Sequence, residues 1–147
     1  MAKAAKKTAK KAAKKAVKKA AKAPAKKVAK RSTITRIEAG KRMSSAVVHD
    51  GRVFLAGQVA EDNAGKSVAL QTREILATID KLLKKAGTDK TRILSANIWL
   101  SDISTFAEMN VEWDKWIVAG QTPARATVES KLAGPEYKVE IMLTAAV

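Results

Sequence analysis

From residue 33 onward the apolar positions fall into segments whose spacing separates strands from helices. Residues 33–37, a short stretch carrying Thr and Ile, read as a first strand. Residues 46–49 and 52–56 flank Asp50-Gly51, a strong signal for a two-residue hairpin turn. Gly57 ends the second hairpin strand, and a loop with Asn63 and Gly65 follows over residues 61–66. Ser67 is placed to cap a helix in which Val68, Leu70, Ile75, Ile79, Leu82 and Leu83 recur at helical spacing, with Gly87 as its stop. Residues 93–100 alternate in part, include Trp99 and predict a strand. Residues 102–105 open a second helix, carrying Phe106, Met109, Trp113, Trp116 and Ile117 and closed by Gly120. Residues 126–129 and 138–145 are the last two strands, joined through Gly134-Pro135.

The order β-β-β-α-β-α-β-β predicts an α+β domain over residues 32–147, with both helices packed on one face of a single sheet. The other face would still be rich in Val, Ile and Leu, and a domain this small can bury such a face by oligomerising.

Charge divides the 147-residue chain differently. Residues 1–31 hold 13 Lys and Arg31 with no acid, a charge of +14, whereas the remainder carries +1 of the total +15. Lysine pairs recur every four residues at Lys6, Lys7, Lys10, Lys11, Lys14, Lys15, Lys18 and Lys19. A four-residue step drifts about 40° on a helix, so no clean apolar face survives and a membrane-surface helix is a poor reading. Like-charge repulsion predicts a disordered tail, which neutralising phosphates would let become helical up to Pro24. Such Ala/Lys/Pro repeats resemble the tails of linker histones and bacterial histone-like proteins. The pattern suits non-specific nucleic-acid binding by counterion release, without the aromatic or base-reading groups of a sequence-specific binder. A solubilising polycationic extension is the competing interpretation.

Cysteine is absent and His49 is the one histidine, which disfavours a thiol nucleophile, a disulfide framework and a zinc cluster. No run of about 18 apolar residues predicts a membrane span, and the N-terminus lacks the apolar segment of a secretory signal. The expectation is a cytoplasmic protein with a retained tail that uses no cofactor or metal, with nucleoid association the location its tail would suit.

Candidate chemistry lies in Pro123-Ala-Arg125-Ala-Thr127-Val-Glu129 and in Val139-Glu140-Ile141. Arg125 starts a strand in apolar company, and its planar fork suits a substrate carboxylate. Glu140 is a carboxylate within an apolar strand, where burial would raise its pKa and let it handle protons or orient water. If the two strands are neighbours, these residues can approach each other. The same residue types also fit a structural ion pair that closes the sheet.

Residues 52–58 (RVFLAGQ), Asn110 within FAEMNVEW, PARATVE over 123–129 and VEI over 139–141 follow the order and spacing of the YjgF/RidA family. The resemblance covers essentially all of residues 34–147. It implies a chorismate-mutase-like β-β-β-α-β-α-β-β fold, a homotrimer, and three sites between subunits. In the deaminating members the matching Arg binds the carboxylate of a 2-imino or 2-enamino acid. The matching Glu orients the water that releases ammonia and a 2-keto acid. Carried over, these are Arg125 and Glu140, with Asn110, Gly57 and Gln58 beside them. Several positions depart from the common deaminase pattern: Ala56 replaces Ser, Thr127 replaces Cys, Met43 falls where a site Tyr is usual, and Thr122 replaces an aromatic. The implied function is therefore a 2-aminoacrylate-type deaminase whose pocket includes Met43, Ala56 and Thr127. The alternative is a non-catalytic trimer that binds a small carboxylate and is tethered to nucleic acid by its tail.

Other residues have plainer interpretations. His49 reads as a turn residue, Asp102 as a helix cap, and Trp99, Trp113 and Trp116 as core or interface residues. Glu129 could reach Arg125 or face solvent. Ser44 and Ser45 fall near the expected pocket mouth with no base evident. Gly65-Lys66-Ser67 lacks the upstream glycine of a phosphate loop.

Overall fold

The computed structural model describes residues 33–147; Lys6 to Lys19 and the rest of the expected tail lie outside them. Six strands and two α-helices follow in the expected order. They are β1 (Thr35–Ala39), β2 (Ser44–His49), β3 (Arg52–Leu55), α1 (Val68–Lys85), β4 (Ile93–Leu100), α2 (Phe106–Trp116), β5 (Ala124–Glu129) and β6 (Val139–Ala146). The strands form one sheet in the order β1-β2-β3-β6-β4-β5, antiparallel except between β4 and β5. That exception follows from α2, which carries the chain back so that β5 runs alongside β4.

Burial alternates along the central strands. Ala96, Ile98 and Leu100 of β4 and Val139, Ile141 and Leu143 of β6 are buried, and they pack with Ile75, Ile79 and Leu83 of α1 and Met109 of α2 in one core. Both helices therefore lie on one face. The opposite face leaves Phe54, Val128 and Met142 exposed.

Local chemistry explains the element ends. The hairpin turn has φ of 50° at Asp50 and 71° at Gly51, the two positive values that a type I′ turn needs. Ser67 Oγ accepts from the Leu70 amide at 3.3 Å and caps α1. Glu108 reaches across from α2 to accept from the Ala69 amide at 2.8 Å, placing a negative charge on the same positive helix end. Buried Gln71 ties α1 to the segment before β6, donating to the Glu136 carbonyl and accepting from the Lys138 amide, both at 2.8 Å.

Several boundaries differ from expectation, among them the start of β2 at Ser44 instead of residue 46. β1 is displaced to Thr35–Ala39, because pairing with β2 from Thr35↔Val48 to Ala39↔Ser44 defines it rather than local propensity. Strand β5 begins at Ala124, opposite Ser95 of β4. Helix α2 stops at Trp116, where Ile117 turns extended; Gly120, at φ 77°, belongs to the turn beyond it. Among the described residues no helix is long and apolar enough to cross a membrane.

Candidate functional site

The structure separates Arg125 from Glu140. Their strands are not neighbours, since β4 lies between β5 and β6. Arg125 is in register with buried Ala96 and so points to the helix-covered face. Glu140 is in register with Trp99 and alternates with the fully buried Val139 and Ile141, so it points to the open face. The two cannot form the ion pair that would close the sheet.

Each residue instead belongs to its own group. On the helix side the Arg125 guanidinium lies 5.1 Å from the Trp113 ring centre and 5.9 Å from that of Phe106. Phe106 and Trp113 are seven residues apart and share one face of α2, with Asn110 between them. Thr127, two residues beyond Arg125, is in register with buried Ile98 and faces the same side. Asn110 Oδ1 and Thr127 Oγ1 are buried without a hydrogen-bond partner among the described residues, as is Thr72 Oγ1 in α1. Buried polar atoms ordinarily find partners. Two such atoms in the elements that flank Arg125 mark a place where a polar ligand would be welcome.

Trp113, Asp114, Ile117, Thr122, Pro123 and Arg125 line a cavity of about 260 Å³. Larger hollows of about 300 and 340 Å³ lie between the helices and beside the β5–β6 loop, and they include none of the residues singled out for substrate binding. Size alone is thus a poor guide here, and the convergence of polar groups is the better one.

On the open side, Gly57 lies directly against Glu140. A Cβ at residue 57 would come within 1.9 Å of Glu140 Oε1 and 2.8 Å of its carboxyl carbon. Gln58 follows with a two-way backbone bridge to Ile141, donating at 2.9 Å and accepting at 3.0 Å. Its side chain donates to the Ala56 carbonyl at 2.8 Å, while the Ala56 amide donates to Ser45 at 3.0 Å. The segment 56–58 therefore stays extended beside β6 after β3 has ended, and it carries the glycine that makes room for the Glu140 carboxylate. Met43 is 58% exposed in the turn between β1 and β2.

The remaining singled-out residues have structural partners. Asp102 accepts from the Ser104 amide at 2.9 Å as a cap. Glu129 accepts from the Ile103 amide at 2.9 Å instead of reaching Arg125. Trp116 donates its indole N–H to Asp80 at 3.0 Å and contacts Trp113, ring centres 5.4 Å apart. The aromatic seat of Arg125 was not foreseen, although the i, i+7 spacing of Phe106 and Trp113 was visible beside an unassigned arginine.

Comparison with known proteins gives one consistent result. Residues 33–147 match the family model described as endoribonuclease L-PSP. A RutC family protein of Haemophilus ducreyi is 43% identical over 114 residues, covering 78% of this chain and 97% of its own. The bovine 2-iminobutanoate/2-iminopropanoate deaminase is 30% identical over 103 residues, covering 67% of this chain and 74% of its own. Among solved structures, a YjgF-family member from Neisseria meningitidis superposes with a TM-score of 0.75 at 46% identity, over 78% of this chain and 94% of that one.

Proposed function

Because this chain belongs to the YjgF/RutC family, we propose that it is a hydrolytic deaminase of reactive 2-imino and 2-enamino acids, assembled as a homotrimer. The observation that carries this reading is Arg125. Its guanidinium is held on two aromatic rings, and among the described residues no carboxylate pairs with it. Cation–π contact takes up none of the guanidinium N–H donors, which leaves their edge for a planar two-oxygen partner. A substrate carboxylate fits that edge, with Asn110 and Thr127 to complete its polar contacts.

Glu140 is the second half. Since it faces away from Arg125, one chain supplies two half-sites, and each complete site draws Arg125, Asn110 and Thr127 from one subunit. Gly57, Glu140 and the pocket-wall residues Ala56 and Met43 come from the next. The exposed apolar residues Phe54, Val128 and Met142 on the Glu140 face are a surface that association would bury. Within such a site the Glu140 carboxylate holds a water against the imine carbon and accepts its proton. The new C–O bond gives a carbinolamine. Proton return to nitrogen then breaks the C–N bond, leaving a 2-keto acid and ammonia.

The test is keto-acid or ammonia release from freshly generated 2-aminoacrylate. The wild type should exceed the spontaneous rate and the Arg125→Ala protein should not; equal rates for the two proteins would reject the deaminase reading.

Charge segregation favours a second, independent role for residues 1–31. They carry +14, against +1 for the rest of the chain. Such a tail adds about 0.9 to the salt slope for each phosphate it neutralises. Three tails on one trimer would add avidity. Retention on DNA should fall when residues 1–31 are removed, while equal retention at moderate salt would reject a tether. Carboxylate binding and DNA retention without turnover would identify a tethered binding protein instead of an enzyme.

A further inference from the structure

We infer that the cavity beside Arg125 is a side-chain subsite, and that it selects carboxylates bearing a branched or aromatic apolar group of four to seven carbons over the small three-carbon imino acids. The inference rests on the reading of Arg125 as the carboxylate anchor and deepens it.

Arg125 itself lines the cavity, so a molecule whose carboxylate meets the guanidinium can extend its remaining carbons along the other lining residues. Those walls are the Trp113 ring, Ile117, Pro123 and the short Thr122, with Asp114 the one acid among them. Trp113 is 4% exposed and doubles as the seat of Arg125, so this wall is rigid. Thr122 and Pro123 lead directly into β5, which ties the opposite wall to the strand that carries Arg125. The volume, about 260 Å³, far exceeds what the methylene of 2-aminoacrylate fills. An isobutyl or benzyl group would instead be lined by tryptophan, isoleucine and proline, which favours its transfer from water. Thr122 leaves the space open by its small size, so a larger residue there would fill the cavity.

The experiment has two readouts. Imino acids are generated in situ from alanine, leucine, phenylalanine and arginine, and their hydrolysis is followed by ammonia release. In parallel, the stable products pyruvate and 4-methyl-2-oxopentanoate are titrated by calorimetry, which needs no turnover. The leucine- and phenylalanine-derived imines should be hydrolysed at least about tenfold more efficiently than the alanine-derived one. The larger keto acid should bind correspondingly tighter. Thr122→Trp should abolish this preference by weakening the larger acid towards the affinity of pyruvate, whereas Arg125→Ala should weaken both acids.

Equal affinity for the two keto acids, or a preference that survives Thr122→Trp, overturns the subsite. Preference for the arginine-derived imine overturns its apolar character and assigns the selectivity to Asp114. Selective binding of the larger acid with no turnover of any imine supports the subsite and rejects the deaminase reading, so the two claims fail separately.

Discussion

At the residue scale, close approaches fix the positions of the candidate groups. Gly57 is a glycine because Glu140 occupies the space of its absent side chain. The crowding atom is the end of a flexible side chain, so Gly57→Ala should leave the fold intact and push the carboxylate aside. Turnover is expected to fall about a hundredfold with little change in KM, as a displacement of about 1 Å at a reacting group commonly costs that much. Steady-state kinetics beside a thermal melt would check it, and an unchanged kcat would remove Glu140 from the chemistry.

Glu112 provides a residue-scale test of stability. It accepts two bonds from Arg73, at 3.0 and 3.1 Å, and one from Lys115 at 3.0 Å. These partners, Arg73 first, hold its carboxyl well below the ordinary 4.5, at about 2. A lowered folded-state pKa contributes stability above the unfolded value, and that contribution is lost as the carboxylate protonates. The wild-type advantage over Glu112→Gln in urea midpoint should therefore hold above pH 4.5 and shrink as the pH falls from 4.5 towards about 2. Arg73 and Lys115 are both largely exposed, so the effect is modest and salt-sensitive. A gap independent of pH would contradict the assignment.

At the element scale, elements marked by local chemistry were legible in the sequence. The Asp50-Gly51 turn is where the hairpin signal put it, and Ser67 caps α1 as its position before the first periodic residue implied. Gly51→Ala places a Cβ on a backbone at φ 71° and should cost about 1 kcal/mol in chemical denaturation. The rate per folded molecule should not change. Elements set by pairing were less legible. The boundaries of β1 and β5 follow their partners β2 and β4, which a single strand's residues do not encode. The insertion of β6 between β3 and β4 was likewise hidden, because alternating burial fixes a strand's faces but not its neighbours. That is why Arg125 and Glu140 could be recognised by residue type and resemblance while their placement on opposite faces could not.

At the scale of the whole molecule, one chain carries Arg125 and Glu140 on opposite faces of its sheet, with Phe54, Val128 and Met142 exposed on the open one. If that face is the subunit interface, charge introduced there should dissociate the assembly: Phe54→Lys is expected to shift the sedimenting species from trimer towards monomer and to lose activity with it. A monomeric wild type would reject the assembly outright. Residues 1–31 pose a separable question, because the folded domain has almost no net charge of its own, so the proposed nucleic-acid retention is expected to be lost when the tail is removed.

The proposed site pairs Arg125 of one subunit with Glu140 of another. Subunit mixing tests it most directly. Arg125→Ala and Glu140→Ala proteins, each inactive alone, are dissociated, mixed in equal amounts and reassembled, and imine hydrolysis is measured. Sites shared between subunits predict recovery in roughly a quarter of all sites, those that pair an intact arginine with an intact glutamate. No recovery above either parent, with mixed trimers demonstrably formed, would contradict the account.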